Sequence, residues 1–351
     1  MGLRDRLIAQ VRESGPMSVA QYMTACLHDP QDGYYATRPA LGADGDFITA
    51  PLVSQMFGEL IGLWAVETWE RLGRPSSFRL VEMGPGDGTL MDDMLRAARL
   101  APAFVAAADV WLVETSEPLK ARQREALGDG VRWAGSLAEV PDDAQMILIA
   151  NTLLDCLQPR QFARTDKRWA ERMVGLDDTG RLAFGLSAAA LGQVLPDAPP
   201  GSVLEHSPAQ EALGSELGAR IAADGGAALL IDYGRDAAGF GDTLQALRRH
   251  VKESPLASPG EADLTVHADF PAVLAAAARE GAATAAILTQ GEFLVRLGIG
   301  ARAEALTAAR PDRSEVIERQ LERLVSPDQM GELFKVVCIH TPGLVAPGFE
   351  T

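Results

Sequence analysis

Cysteine is scarce: a chain of 351 residues carries three, Cys26, Cys156 and Cys338. They are odd in number and far apart, and no CxxC or Cys/His cluster occurs. That argues against a disulfide framework and a structural zinc site, and for a reducing compartment. Histidine is nearly as sparse, with five scattered residues and no HExxH. Long apolar runs are missing too. The Ala-rich stretch from Ala272 to Leu288 is broken by Arg279 and Glu280, so no segment reads as spanning a bilayer. The beginning, "MGLRDRLIAQVRESG", lacks the apolar region of a secretory signal because Arg4, Asp5 and Arg6 interrupt it. Asp5 and Glu13 argue against a transit peptide, and Arg6 stands where a myristoylation signal wants Ser or Thr. The expectation is a cytoplasmic, unprocessed chain. Positive charge is in deficit: 32 Lys and Arg face 48 Asp and Glu, a net charge of -16. Such a surface repels phosphate backbones, which argues against nucleic acid as partner. A cationic substrate or a basic partner surface fits better, although acidity also serves solubility alone.

The length allows a full core and about two domains, or one with large insertions. Leu3, Leu7, Ile8 and Val11 share a helical face that ends at Ser14-Gly15-Pro16. A second short helix follows Ser18, residues 38–50 read as loop, and Pro51 to Leu72 reads as one helix capped by Gly73. Short apolar strands come next, "FRLVEM" (78–83), "DVWLVE" (109–114), "VRWAG" (131–135) and "QMILIAN" (145–151). Helical segments separate the first three, one of them opening at "SEP" and ending at Gly128 or Gly130. This alternation predicts a parallel α/β sheet. Hairpin strands and a Pro-rich tract then form an insertion. The winding resumes at "GGAALLIDYG". A further loop region, 241–267, leads to a helix beginning after Asp269. "TAAILT" and "LFKVVCIH" supply the last two strands.

The first strand runs into Glu82-x-Gly84-x-Gly86-x-Gly88. A dinucleotide fingerprint would place glycine at 89, where Thr89 stands, and no lysine follows Gly88 to make a phosphate loop. The better match is the turn that receives S-adenosylmethionine in class I methyltransferases, where the glycines admit the amino-acid part and ribose of the ligand. The second strand ends in Glu114, placed to accept hydrogen bonds from both ribose hydroxyls. The fourth ends in the polar Asn151. Glu82, Gly84, Gly86, Gly88, Thr89, Glu114 and Asn151 are therefore the candidate donor-binding residues. Tight turns without a ligand and a solvated strand end are the plain alternatives.

Together with these residues, "GDFITAPLVSQMFGELIG", "VETSEPLKARQ", "ANTLLDCLQPRQF", "LIDYG", "GDTLQALRRH", "PGEADLTVHADF", "TQGEFL" and "MGELFKVV" give the chain a resemblance to a known family along nearly its whole length. It resembles the MidA-like family of S-adenosylmethionine-dependent protein arginine methyltransferases, whose mitochondrial relatives are complex I assembly factors. The resemblance implies an α/β fold with a seven-stranded, Rossmann-like class I methyltransferase sheet. It implies S-adenosyl-L-methionine as cofactor and, as methyl acceptor, an arginine in a respiratory complex I (NADH dehydrogenase) subunit. The expected organisation is an N-terminal helical extension, 1–74, and a methyltransferase domain, 75–351, with insertions at about 158–205 and 235–268. Where the family carries Asn-Glu-Phe-Phe-Asp, this chain has Asn151-Thr152-Leu153-Leu154-Asp155, so its glutamate is Thr152. That departure keeps open a non-catalytic assembly protein that retains the donor pocket. A small-molecule methyltransferase is the other alternative.

Methyl transfer needs an acceptor nitrogen aligned with the donor, in a site that excludes water. A guanidinium stays protonated, so carboxylates that grip it would orient one nitrogen. Asp155 and Asp232, both at strand ends, are the candidate catalytic carboxylates. Their plain alternatives are a helix N-terminal acid and a turn acid before Gly234. His267 is a candidate base. Tyr233 could wall the pocket, and Asp46 and Asp263 are candidate polar groups of covering loops anchored by Phe47 and Leu264. Cys156, Trp64 and Trp69 read as packing residues.

Overall fold

A computed structural model describes residues 1–37, 49–187 and 195–350. The central sheet contains β1 (Phe78–Met83), β2 (Ala108–Val113), β3 (Arg132–Ala134), β4 (Met146–Asn151), β5 (Gly226–Arg235), β6 (Ala283–Thr284) and β7 (Phe334–His340). Their spatial order is 3-2-1-4-5-7-6. β3, β2, β1, β4 and β5 run parallel, and β7 is antiparallel to both of its neighbours. The order reverses between β1 and β4, and the crevice beyond the carboxyl ends of those strands is where open α/β sheets take ligands. Two further two-residue strands join the same sheet, Ala268–Asp269 beside β5 and Leu288–Thr289 beside β7.

Why these segments form this sheet follows from their side chains. β4 is buried at every position, the pattern of a strand covered on both faces. Leu80, Ile147, Ile149, Leu229 and Ile231 enter one core. Their neighbours Val81, Met146, Leu148, Leu230 and Ala150 enter the other. The helices α1 (Leu3–Ser14), α2 (Val19–His28), α3 (Gln55–Arg71), α4 (Thr89–Ala98), α5 (Glu117–Leu127), α6 (Pro208–Asp224) and α7 (Phe270–Arg279) divide among three cores. α3 and α4 cover the first face and α6 and α7 the second. Trp64 and Trp69 are buried in the first, as packing residues.

A third core lies apart from the sheet. There α1 and α2 pack with Val174 and Leu182 of the inserted hairpins and with Ala246, Leu256, Leu264 and Val266. Met17–Ser18 even pairs with the strand Trp169–Leu176. The N-terminal segment and the two insertions therefore build one body at one end of the cavity described below.

Three expectations need correction. The helix read over Pro51–Leu72 is two helices, Ala50–Val53 and α3, because Ser54 is extended and its Oγ accepts from the N–H of Met56. The loop read before His267 contains a three-stranded antiparallel sheet, Gln245–Arg248, Val251–Glu253 and Asp263–Thr265. Its tight turn is made by Arg249 and His250, both at positive φ (52° and 62°). Such turns usually announce themselves with Gly or Asn, and this one does not. "TAAILT" is broken into Ala283–Thr284 and Leu288–Thr289 rather than one strand. Most of the loop read over 38–50, with Asp46 and Phe47, lies outside the described residues. No helix among the described residues is long and apolar enough to cross a membrane.

Candidate active site

A cavity of about 440 Å³ opens at the switch point of the sheet. Its floor is the turn from β1 to α4. Gly84, Gly86 and Gly88 all have positive φ (67°, 57° and 91°), a conformation that favours glycine. Gly84 and Gly86 line the cavity. The N–H of Gly84 donates to the carbonyl of Val113 (3.1 Å), which ties the turn to the end of β2.

Glu82 ends up 2% exposed beneath this turn, and its Oε2 has no hydrogen-bond partner. Burial, and then the charge of Asp87, push its pKa from 4.5 to about 8. Glu114, one residue past β2, is held rigidly. Its Oε1 accepts from the N–H groups of Thr115 and Ser116 (2.8 Å each), and its Oε2 from Nε2 of Gln123 (3.2 Å). Burial raises its pKa as well. Gln123 also donates to the carbonyl of Gly86 (2.8 Å) and accepts from Nε1 of Trp133 (2.8 Å). One buried amide on α5 thus clasps the glycine turn, the strand-end acid and β3. Asn151, at the end of β4, is 8% exposed and lines the cavity with its Oδ1 unpartnered.

S-adenosyl-L-methionine fits this set. Two buried oxygens without partners, a glycine turn and a fixed carboxylate border one cavity, and such groups suit a ligand with an ammonium and ribose hydroxyls. Glu82, Gly84, Gly86, Glu114 and Asn151 would hold it, and when bound it supplies an activated methyl on a sulfonium. Gly135, Ser136 and Leu137, just past β3, add a further wall.

A second group of lining residues has a different chemistry. Asp155 sits in the short helical turn Leu154–Cys156 and is 4% exposed. Its Oδ2 accepts from the hydroxyl of Tyr233 (2.9 Å) and its Oδ1 from Sγ of Cys156 (3.3 Å). Tyr35, from the N-terminal segment, lies 3.1 Å from that sulfur and donates to Oδ1 of Asp263 (2.9 Å). Asp155, Cys156, Tyr35 and Asp263 all line the cavity, together with His28 and Tyr34. Six carboxylates border it (Glu82, Asp87, Glu114, Asp155, Glu216, Asp263), and among the described residues no lysine or arginine does. Thr152 adopts a left-handed φ of 53° beside Asn151, its hydroxyl donating to the carbonyl of Asn151 (2.7 Å).

The structure redistributes several candidates. Glu82, Gly84, Gly86, Glu114, Asn151 and Asp155 meet around one cavity. Gly88 and Thr89 are not among its lining residues: a Cβ on Gly88 would meet Cα of Gln123 at 3.4 Å, and the N–H of Thr89 donates to Oδ1 of Asp87. Asp232 does not line the cavity either. Fully buried, its carboxylate accepts from the backbone N–H groups of Asp155 and Tyr233, so it shapes the turn that presents Asp155. Burial raises the pKa of both aspartates, and the charge of Asp155 raises that of Asp232 further. His267 also lies outside the lining. Its ring meets Tyr233 edge-on at 5.6 Å, and burial lowers its pKa. The acid that lines the cavity near Asp155, joined to it through Tyr35 and Cys156, is Asp263. Gln123 and the aromatic residues of the N-terminal segment escaped the sequence reading. The i, i+4 pair Leu119 and Gln123, both buried, was the available signal for the former.

Comparison with known proteins points to the same cofactor. A family of S-adenosyl-L-methionine-dependent methyltransferases matches residues 60–288. The Drosophila melanogaster mitochondrial protein arginine methyltransferase NDUFAF7 homolog is 35% identical, over 98% of this chain and 86% of its own. The human mitochondrial protein arginine methyltransferase NDUFAF7 is 33% identical, over 93% and 81%. A crystal structure from Burkholderia thailandensis, bound to S-adenosyl-homocysteine, superposes with a TM-score of 0.83 at 27% identity, covering 99% of this chain and 92% of that one.

Proposed function

The chain belongs to the MidA-like family of S-adenosyl-L-methionine-dependent methyltransferases, and from that premise we propose that it methylates an arginine side chain of a protein, in a subunit of the respiratory NADH dehydrogenase, in the cytoplasm. One observation carries the arginine reading. The cavity is bordered by six carboxyl groups, Asp155 and Asp263 among them, and by no lysine or arginine among the described residues. A neutral acceptor has no need of that charge, whereas a guanidinium matches it through charge-assisted hydrogen bonds. The names of the relatives, protein arginine methyltransferases, support the same choice.

In this reading Asp155 and Asp263 hold the guanidinium so that one nitrogen faces the donor. The donor, when bound, would supply the methyl from its sulfonium, and the sulfur would keep the electron pair of the bond that breaks. The nitrogen then gives up one proton, and a neighbouring carboxylate accepts it. Burial raises the pKa of Asp155 to about 6, which suits it to accept that proton.

The test is mass spectrometry of NADH dehydrogenase subunits from the source organism with and without the gene. Loss of an arginine methyl mark on deletion, restored by the native gene and not by Asp155→Asn, is the expected result. An unchanged methylation pattern would favour a non-catalytic assembly protein and overturn the reading.

A further inference from the structure

The acceptor end of the cavity is built in part by a segment that precedes the whole methyltransferase sheet. Residues 28–35 bring three aromatic rings to its wall, His28, Tyr34 and Tyr35. The rings of His28 and Tyr35 stack, with centroids 6.1 Å apart and 27° between planes, and Tyr34 meets Tyr35 edge-on at 5.1 Å. The segment is firmly seated. Arg6 pairs with Asp29 (2.6 Å), and Tyr22 donates to the carbonyl of Pro255 (2.8 Å). At Gly260 a Cβ would lie 2.3 Å from the carbonyl oxygen of Asp32. Pro255 and Gly260 belong to the insertion whose next strand carries Asp263. Tyr35 and Asp263 therefore share one rigid support, and the hydroxyl of Tyr35 sits between Asp263 and Cys156, which in turn contacts Asp155.

We infer that Tyr35 is the specificity-determining residue of the acceptor pocket, selecting a planar guanidinium over an ammonium. The inference rests on the reading that the acceptor is cationic. A guanidinium can present its N–H edge to two carboxylates while its weakly hydrated face lies on an aromatic ring. An ammonium is compact and strongly hydrated, and gains less from such a face. Tyr35 supplies both elements at once: its hydroxyl holds Asp263 and links the two aspartates, and its ring extends the aromatic wall. Partial desolvation lowers the pKa of His28, which disfavours a competing positive charge there.

The test is calorimetry on the full chain saturated with S-adenosyl-homocysteine, titrated with the N-acetyl methylamides of arginine, lysine and citrulline. The native protein should bind the arginine probe about tenfold tighter than the lysine probe, and the neutral citrulline probe most weakly. Tyr35→Phe keeps the ring and loses the hydroxyl, and should weaken the arginine probe about tenfold, the scale of one hydrogen bond to a charged group. Tyr35→Leu should bring the arginine-to-lysine ratio close to one. Urea unfolding followed by circular dichroism should show both variants folded. An arginine-to-lysine ratio that survives both substitutions overturns the role of Tyr35 and leaves the cationic reading standing. Equal binding of citrulline and arginine by the native protein overturns the cationic reading itself, and failure of all three probes to bind overturns both.

Discussion

Replacing Glu82 with glutamine should stabilise the ligand-free protein, and by an amount that grows with pH. Glu82 is 2% exposed, its Oε2 lacks a partner, and burial with the nearby Asp87 lifts its pKa from 4.5 to about 8. An acid whose folded pKa is raised keeps its proton in the native state and loses it on unfolding. Its contribution to stability therefore falls as pH climbs from the unfolded value to the folded one, and is level above that. At about 1.36 kcal/mol per pH unit, the full span costs the native protein up to about 5 kcal/mol, most of it by pH 8. The glutamine variant does not titrate there. Urea unfolding of both proteins from pH 5 to pH 9 isolates the effect, because every other titrating group is common to the pair. The stability difference should widen by on the order of 3 kcal/mol between pH 5 and pH 8. A difference that stays flat over this range would show that Glu82 is already ionised at pH 5 and would refute the argument. The same carboxyl predicts a binding signature. A cationic donor in the cavity favours the ionised form, so binding at pH 7 should release a proton, detectable as buffer-dependent heat, and Glu82→Gln should abolish the release.

Gln123→Ala removes three hydrogen bonds that join the glycine turn, Glu114 and Trp133. It should cost about 2–3 kcal/mol in urea unfolding and at least tenfold in S-adenosyl-homocysteine affinity. Thr152→Gly relieves a β-branched residue of its left-handed backbone, at the loss of one hydroxyl bond. It should raise stability by up to about 1 kcal/mol in the same assay; a loss instead would show that the hydroxyl outweighs the strain.

The meeting of Glu82, Gly84, Gly86, Glu114 and Asn151 around one cavity was legible in the sequence because it is local. Glu82 to Gly86 is one continuous turn, and Glu114 and Asn151 are strand ends that a parallel βαβ order must bring beside it. The sheet itself was legible for a related reason: a strand such as β4, buried on both faces, reads as an unbroken apolar run. Asp155 and Asp263 were legible singly, but their meeting with Tyr35 and His28 around one cavity was not. His28, Tyr35, Asp155 and Asp263 come from segments up to 235 residues apart, joined by a third core that no local pattern announces. Asp232 is a catalytic candidate by sequence because it ends a strand, and Asp263 only a polar group of a covering loop. Strand ends mark a crevice, but they do not say which carboxylate turns into it and which one caps a backbone turn, as Asp232 does. The Arg249–His250 turn hid the small sheet that carries Asp263, since neither residue is a usual left-handed one.

The central claim is that the methyl donor lies over the turn Gly84–Gly88, at the carboxyl ends of β1 and β2. Gly86 has a φ of 57° and lines the cavity, so valine there strains the turn and adds a branched side chain at the ligand's seat. Calorimetric titration of S-adenosyl-homocysteine into the native protein and Gly86→Val tests the placement most directly. The expected result is saturable one-site binding by the native protein and its loss in a folded variant. Equal affinity in both would contradict the claim and move the donor elsewhere in the molecule.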